Sequence, residues 1–326
     1  MGTRIPFFCG YYGCGNLGDD ALLLSIVGFL SKEIPNVNPL CLSGGDPMLD
    51  GALEERGARI VRREPHTILG AIRSCDVVAL GGGSLLQNVT GNASLYAYLS
   101  LLTAARTFGK ETAILSGGFG PIIGSFPRYS TGRALRRLNY ASFRDEESCA
   151  FARTLGVREP KVAGDPALLL PLEPYRGILP DRFLLITLRK KSEIPPREIA
   201  AIIKSVADEK LLTPVFCVLF PREDSEYVRR VFDFVCTQYY SSLRNDKARI
   251  LPVLSQGELR SVVARASFVL SGRYHLALFA FEHGIPFSVI GDDPKLQSIS
   301  RESRTPEDLR EASRADLLRF ARMLEK

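Results

Sequence analysis

Short apolar runs alternate with longer stretches whose apolar residues recur at helical spacing, and the alternation continues along most of the chain. In the first half the strand-like runs cover residues 4–9, 40–43, 76–80, 112–116, 140–143 and 161–163. Their short, mostly apolar character fits strands of a parallel sheet covered on both faces. Amphipathic stretches such as 20–32 and 95–108 supply covering helices. Six such strands predict an open, doubly wound α/β domain over residues 1–167.

Pro166, Pro171, Pro174 and Pro180, together with Gly177, then interrupt the pattern, and residues 168–181 read as a linker. The alternation restarts with strand-like runs at 182–188, 214–220, 248–253, 268–270 and 287–290. Helical patterns at 196–210, 225–236, 256–266 and 274–284 separate them, which predicts a second α/β domain over 182–300. The remaining segment, 301–326, contains Thr305-Pro306-Glu307-Asp308, an N-cap followed by proline at the first helical position and first-turn acids. Its helix can return to the N-terminal domain. Two α/β domains joined by one linker place their carboxyl strand edges around a cleft, and ligands bind at such edges.

Composition narrows the class. Of 326 residues 45% are hydrophobic and 24% charged, which excludes a disordered, collagenous or fibrous chain. The net charge of +6 suits an anionic substrate and is too small to imply nucleic acid. The apolar run 21–30 is far short of the ~18 residues a membrane helix needs. Met1-Gly2-Thr3-Arg4-Ile5-Pro6 has no signal-peptide pattern, and the seven cysteines lack metal or disulfide spacing. A cytoplasmic location, extending to the inner face of the membrane, is expected. Asn88-Val89-Thr90 and Asn92-Ala93-Ser94 then match a glycosylation pattern by coincidence. Arg310, Arg314, Arg319, Arg322 and Lys326 lie on the C-terminal helix, but Glu311, Asp316 and Glu325 interrupt them, which reads first as a solvated face and second as a peripheral membrane contact. The oligomeric state is not readable.

Three runs of the first domain end in glycine. Gly13, Gly15 and Gly18 frame Gly10-Tyr11-Tyr12-Gly13-Cys14-Gly15-Asn16-Leu17-Gly18-Asp19-Asp20. Gly81-Gly82-Gly83-Ser84-Leu85-Leu86-Gln87 follows a second strand and Gly117-Gly118-Phe119-Gly120 a third. Such density exceeds what tight turns need and points to a ligand-lining edge. A nicotinamide site is disfavoured because Asp19 and Asp20 would repel a pyrophosphate, and because Asp46 comes 28 residues after Gly18 rather than about 20. P-loop and nucleophile-elbow motifs are absent, and no cluster has metal-ligand spacing.

The charged candidates also follow strands. Arg144 opens Arg144-Asp145-Glu146-Glu147, and Asp165 stands in Gly164-Asp165-Pro166. Ser271-Gly272-Arg273-Tyr274-His275 leads from a strand into a helix start, where an anion held by Arg273 and backbone N–H groups would lie beside the His275 imidazole. That makes His275 a candidate general acid. Lys295 in Asp293-Pro294-Lys295 can reach the same edge, Asp19 is the candidate base, and His66 and His283 read as structural.

Taken in order, these motifs resemble the polysaccharide pyruvyl transferase family over roughly residues 7–297, with the bacterial cell-wall branch that supports S-layer anchoring as the nearest likeness. The resemblance implies two Rossmann-like domains in a GT-B-like arrangement, with the site in the interdomain cleft. It implies transfer of pyruvate from phosphoenolpyruvate to two hydroxyls of a sugar, giving a cyclic ketal and phosphate, with no cofactor. The implied acceptor is an N-acetylmannosamine-containing, lipid-diphosphate-linked saccharide. By position Arg144 and Arg273 match the donor-binding arginines and His275 the active-site histidine. Tyr274 stands where the family usually has Leu, and Asp292 where it commonly has Tyr. Gly13, Gly15, Asn16, Asp19, Gly82, Gly83, Gln87, Gly118, Tyr274 and Lys295 complete the expected substrate contacts. The rival readings are a GT-B glycosyltransferase using a nucleotide sugar, a non-catalytic partner protein that keeps the cleft, and the disfavoured nicotinamide oxidoreductase.

Overall fold

The computed structural model describes residues 3–89, 91–190, 194–239 and 248–325. Met1, Gly2, Thr90 and Lys326, named above, lie outside the described residues. The chain divides into two compact units: Met1–Cys14, Asp19–Leu170 and Glu307–Lys326 form the first, and Gly15–Gly18 with Pro171–Pro306 the second.

In the first unit the elements run β1 (Pro6–Cys9), α1 (Leu17–Glu33, whose Leu17 and Gly18 count with the second unit), β2 (Leu40–Ser43), α2 (Pro47–Glu54), β3 (Arg59–Arg62), α3 (Pro65–Ser74) and β4 (Val77–Gly81). They continue through α4 (Asn92–Thr107), β5 (Glu111–Gly117), α5 (Ser125–Leu135), β6 (Tyr140–Phe143), α6 (Glu146–Thr154) and β7 (Lys161–Val162). The strands form one sheet in the order β3-β2-β1-β4-β5-β6-β7, every pair parallel. β1, β2, β4 and β6 are buried along their whole length, as strands covered by helices on both faces must be. Phe7, Leu42, Val78, Ile114 and Phe143 join Leu95, Leu99 and Leu102 of α4 in its core.

This sheet has a strand beyond the six expected. β3 is Arg-Ile-Val-Arg at the sheet edge, with only Val61 buried. An edge strand is half solvated, so polar ends suit it and erase the apolar signature that marks central strands.

The second unit contains β8 (Phe183–Thr187), α7 (Pro196–Lys210), β9 (Thr213–Phe216), α8 (Pro221–Phe234), β10 (Arg249–Ile250), α9 (Gln256–Ala264) and β11 (Phe268–Ser271). It closes with α10 (Tyr274–Glu282), β12 (Phe287–Val289) and α11 (Pro294–Ile299). Its parallel sheet has the order β10-β9-β8-β11-β12. Leu184, Ile186, Phe216 and Leu270 pack with Ile199, Ile203, Val228 and Val231 from α7 and α8. Local chemistry sets the helix starts: Ser255 and Glu258 close a capping box on α9, and proline stands in the first turn of α7, α8 and α11.

The last helix, α12 (Pro306–Leu324), counts with the first unit from Glu307 onward. Asp316, fully buried on it, accepts from the hydroxyls of Tyr140 at 2.6 Å, Ser142 at 2.7 Å and Ser116 at 3.0 Å. One carboxylate thereby satisfies three buried donors and fixes the helix against β5 and β6. Two Rossmann-like units with separate parallel sheets make this a GT-B-like α/β fold, as expected.

Candidate functional site

Each sheet reverses its strand order at one point, between β1 and β4 in the first unit and between β8 and β11 in the second. Ligands of open α/β sheets bind beyond the carboxyl ends of strands at such points. The expected site residues fall on both edges. Gly13, Asp19, Gly82, Gly83, Gln87, Gly118 and Arg144 belong to the first unit; Gly15, Asn16, Arg273, Tyr274, His275 and Lys295 belong to the second.

The first edge is built from backbone and carboxylates. The Gly13 N–H donates to the Asp20 carboxylate at 2.8 Å, and Asp20 is almost completely buried. Burial pushes its pKa up to about 8, against the partial opposing effect of that N–H. The Tyr12 hydroxyl donates to the Gly81 carbonyl and so ties the loop after β1 to the end of β4. Gly83 has φ +63°, and a Cβ there would strike the Asp19 carboxylate, so only glycine lets that acid sit against the loop. The Gly118 N–H donates to the Gly83 carbonyl at 2.8 Å, and Gly118 lies against Ser84 and the Arg144 guanidinium. Arg144 is buried, with Asp145 at 3.4 Å and Asp165 at 3.7 Å. Gln87 turns its side-chain oxygen to the Val89 N–H at 2.7 Å.

The second edge is ionic. Gly272 donates its N–H to the Thr187 carbonyl at 2.7 Å, which clips the turn after β11 to the end of β8. The Ser271 hydroxyl, donating to the Arg273 carbonyl at 2.7 Å, holds that turn. The Arg273 guanidinium meets Asp224 at 2.6 Å and Glu223 at 3.0 Å, both in the first turn of α8. Asp224 is fully buried and also accepts from the Lys190 N–H at 3.0 Å. It therefore joins the segments that follow β8, β9 and β11. Burial raises its pKa, and the adjacent Arg273 pulls in the opposite direction. α10 begins at Tyr274 with no side-chain cap on its first N–H groups. His275 is buried edge-on to Tyr274 and beside Phe279. Within this unit Gly18 faces the His275 imidazole so closely that any Cβ there would collide with it. Asn16 accepts from the Gly18 N–H at 3.2 Å, and Gly15 lies beside the Arg222 stem. Lys295 follows Asp293, which caps α11 and pairs with Arg189 at 2.8 Å.

Sequence reasoning missed Arg222, Glu223 and Asp224, Arg189, and Arg63. Arg63 donates to the carbonyls of Gly10 and, at 3.4 Å, Tyr12. Pro221-Arg222-Glu223-Asp224 after an apolar strand was an available signal; Arg63 follows the strand whose polar ends concealed it.

The family model for polysaccharide pyruvyl transferase matches residues 16–294. The chain belongs to that family. No protein of curated function matches its sequence. Solved structures share its fold over nearly the whole length. A Listeria monocytogenes protein named for UDP-N-acetylglucosamine 2-epimerase is 12% identical at a TM-score of 0.66, covering 99% of this chain and 90% of its own. The Neisseria meningitidis UDP-GlcNAc 2-epimerase bound to UDP-GlcNAc is 13% identical at a TM-score of 0.60, covering 99% of each chain. Anabaena HepE in complex with UDP and glucose is 11% identical at a TM-score of 0.55, covering 99% and 95%. At these identities the likeness establishes the fold.

These structures correct the donor and acceptor expected from the resemblance. Their named ligands are UDP-GlcNAc, UDP and glucose, not phosphoenolpyruvate or a lipid-diphosphate-linked saccharide. The ketal-forming transfer of pyruvate and the narrower cell-wall, S-layer-anchoring branch are corrected with them. The two arginines expected to hold a compact trianion are each flanked by two carboxylates, Arg273 by Glu223 and Asp224 and Arg144 by Asp145 and Asp165. The charge of each arginine is thus balanced locally by two carboxylates.

Proposed function

We propose that this chain is an enzyme acting on a nucleotide sugar, with uridine diphosphate sugars as the class its fold neighbours point to. The observation that supports this reading is the mixed edge of the second unit: Arg273 held between Glu223 and Asp224, beside the uncapped N-terminus of α10, at the β8/β11 switch point. A nucleotide sugar combines a diphosphate with several hydroxyls. Backbone N–H groups at a helix start suit the diphosphate, and a carboxylate steadied by an arginine accepts from hydroxyls. His275, in the first turn of the same helix, is the candidate to protonate the leaving oxygen.

The test is a thermal-shift and calorimetric comparison of UDP, UDP-GlcNAc and phosphoenolpyruvate, followed by an assay for UDP release or sugar epimerisation. UDP and UDP-GlcNAc should stabilise the protein, by about 2.7 kcal/mol at one hundred times the dissociation constant. Stabilisation by phosphoenolpyruvate alone, or indifference to both uridine nucleotides, overturns the proposal.

A further inference from the structure

The face around α5 has a chemistry unlike the rest of the first unit. Ile123, Phe126 and Tyr129 are 63%, 67% and 59% exposed, and Val89 is 62% exposed. The two loops that carry Val89 and Ile123 are clipped together by Asn88. Its side chain donates to the Ile123 carbonyl at 2.8 Å and accepts from the Ile123 N–H at 2.7 Å. The apolar tips are therefore held in place rather than left on unconstrained loops. Beside them α4 and α5 enclose a groove of about 670 Å³ lined by Tyr96, Phe126 and Tyr129 together with Arg106, Arg133 and Arg137.

The charge of this stretch of chain is one-sided. Between Gly82 and Leu138 the basic residues are Arg106, Lys110, Arg128, Arg133, Arg136 and Arg137, and the sole acid is Glu111. Glu111 is already paired with Arg4 at 3.0 Å. Arg106 has its pKa lowered by burial and by the neighbouring Arg137, a mark of like charges crowded together. α12 offers the contrast. It buries Leu309, Leu317, Phe320 and Leu324 and pairs Arg310 with Glu307 and Arg319 with Asp316, so its apolar face is spent inside the first unit.

Protruding aromatic and aliphatic tips ringed by arginines match the requirements of a bilayer interface, where rings enter the headgroup zone and guanidinium groups meet lipid phosphates. No described helix is long and apolar enough to cross a membrane. We propose that the α5 face, with the Val89 and Ile123 tips, docks peripherally on an anionic phospholipid surface. This inference does not depend on the nucleotide-sugar reading, which concerns the second unit.

Co-sedimentation of the full chain with vesicles tests it. Phosphatidylcholine vesicles are compared with vesicles containing about one-third phosphatidylglycerol, at low and high salt. Binding is expected to the anionic vesicles only, and to weaken with salt. At about fivefold per arginine near such a surface, Arg133→Ala with Arg137→Ala should weaken it about 25-fold. Phe126→Ala with Tyr129→Ala should weaken it at least about tenfold through lost apolar insertion. All four side chains are exposed, so thermal midpoints should hold and the UDP response should persist. Equal binding to neutral vesicles, no binding to either, or light scattering that shows a second copy of the chain covering this face overturns the proposal.

Discussion

At the β1/β4 switch point of the first unit the chain presents glycine N–H groups, the buried Asp20 and the Asp19 carboxylate seated on Gly83. At the β8/β11 switch point of the second it presents Arg273 locked to Glu223 and Asp224, with His275 in the first turn of the following helix. Both sheets use the same local strand order, so topology does not account for the difference. The residues placed after the strands do, because one scaffold holds whatever chemistry its loops supply. The first edge presents glycine backbone and carboxylates. The second presents an arginine held between two carboxylates beside the uncapped start of α10.

Removing Arg273 breaks this contrast most severely. Arg273→Ala leaves Asp224 fully buried beside Glu223 with no cation, which should cost about 3–5 kcal/mol in urea unfolding and abolish the UDP response. Arg144→Ala should cost about 1–3 kcal/mol, because its acids stand farther away, and leave the UDP response in place. Equal loss of UDP binding in both variants would show that the two edges do not divide the work as described.

Asp20 sharpens the contrast through pH. Its folded pKa of about 8 lies above the unfolded value of 3.8, so the folded chain holds a proton that the unfolded chain releases. The stabilisation is complete below pH 3.8 and is lost as pH rises towards about 8, with a slope of up to about 1.4 kcal/mol per pH unit. Asp20→Asn keeps an acceptor for the Gly13 N–H and removes this titration. The stability difference between variant and wild type should therefore move in the variant's favour between about pH 4 and 8. Parallel stability curves would mean that Asp20 is ionised in the folded chain.

How far the sequence reveals these edges depends on whether a feature is local. Strands apolar on both faces, such as Val77–Gly81, announce themselves, whereas β3 does not because Arg59 and Arg62 give it polar ends. Losing β3 also hid Arg63, which follows it. The glycine density of three loops was legible, yet the pairing of Gly18 with His275 joins positions far apart in the chain. Glu223 and Asp224 look like ordinary first-turn acids of a helix; only the fold brings them to Arg273. Arg273 read as part of a trianion site because its carboxylate partners lie about 50 residues away in the chain, whereas Asp145 stands next to Arg144.

Gly18→Ala tests the tertiary pairing. The added Cβ meets the imidazole, and overpacking of this kind costs about 1–3 kcal/mol. The UDP response should weaken with it, since His275 must move. His275→Ala in the same chain should restore most of the stability without restoring turnover. If Gly18→Ala is neutral in both readouts, the glycine is there for the turn alone.

The smallest expected effect separates the ways in which the two switch points are clipped. In the second unit the clip is the backbone bond from the Gly272 N–H to the Thr187 carbonyl, beyond the reach of side-chain substitution. In the first it is a side chain, the Tyr12 hydroxyl on the Gly81 carbonyl. Tyr12→Phe removes one donor, leaves the ring in place and strands a buried carbonyl, for about 1 kcal/mol by urea unfolding. Hydrogen exchange should quicken in the Gly81–Gly83 loop and stay unchanged around Gly272. The UDP affinity should not move, because the edge proposed to take the diphosphate does not include this bond. A fall in UDP affinity without a change in loop exchange would place Tyr12 among the ligand contacts and move part of the nucleotide-sugar site to the glycine edge.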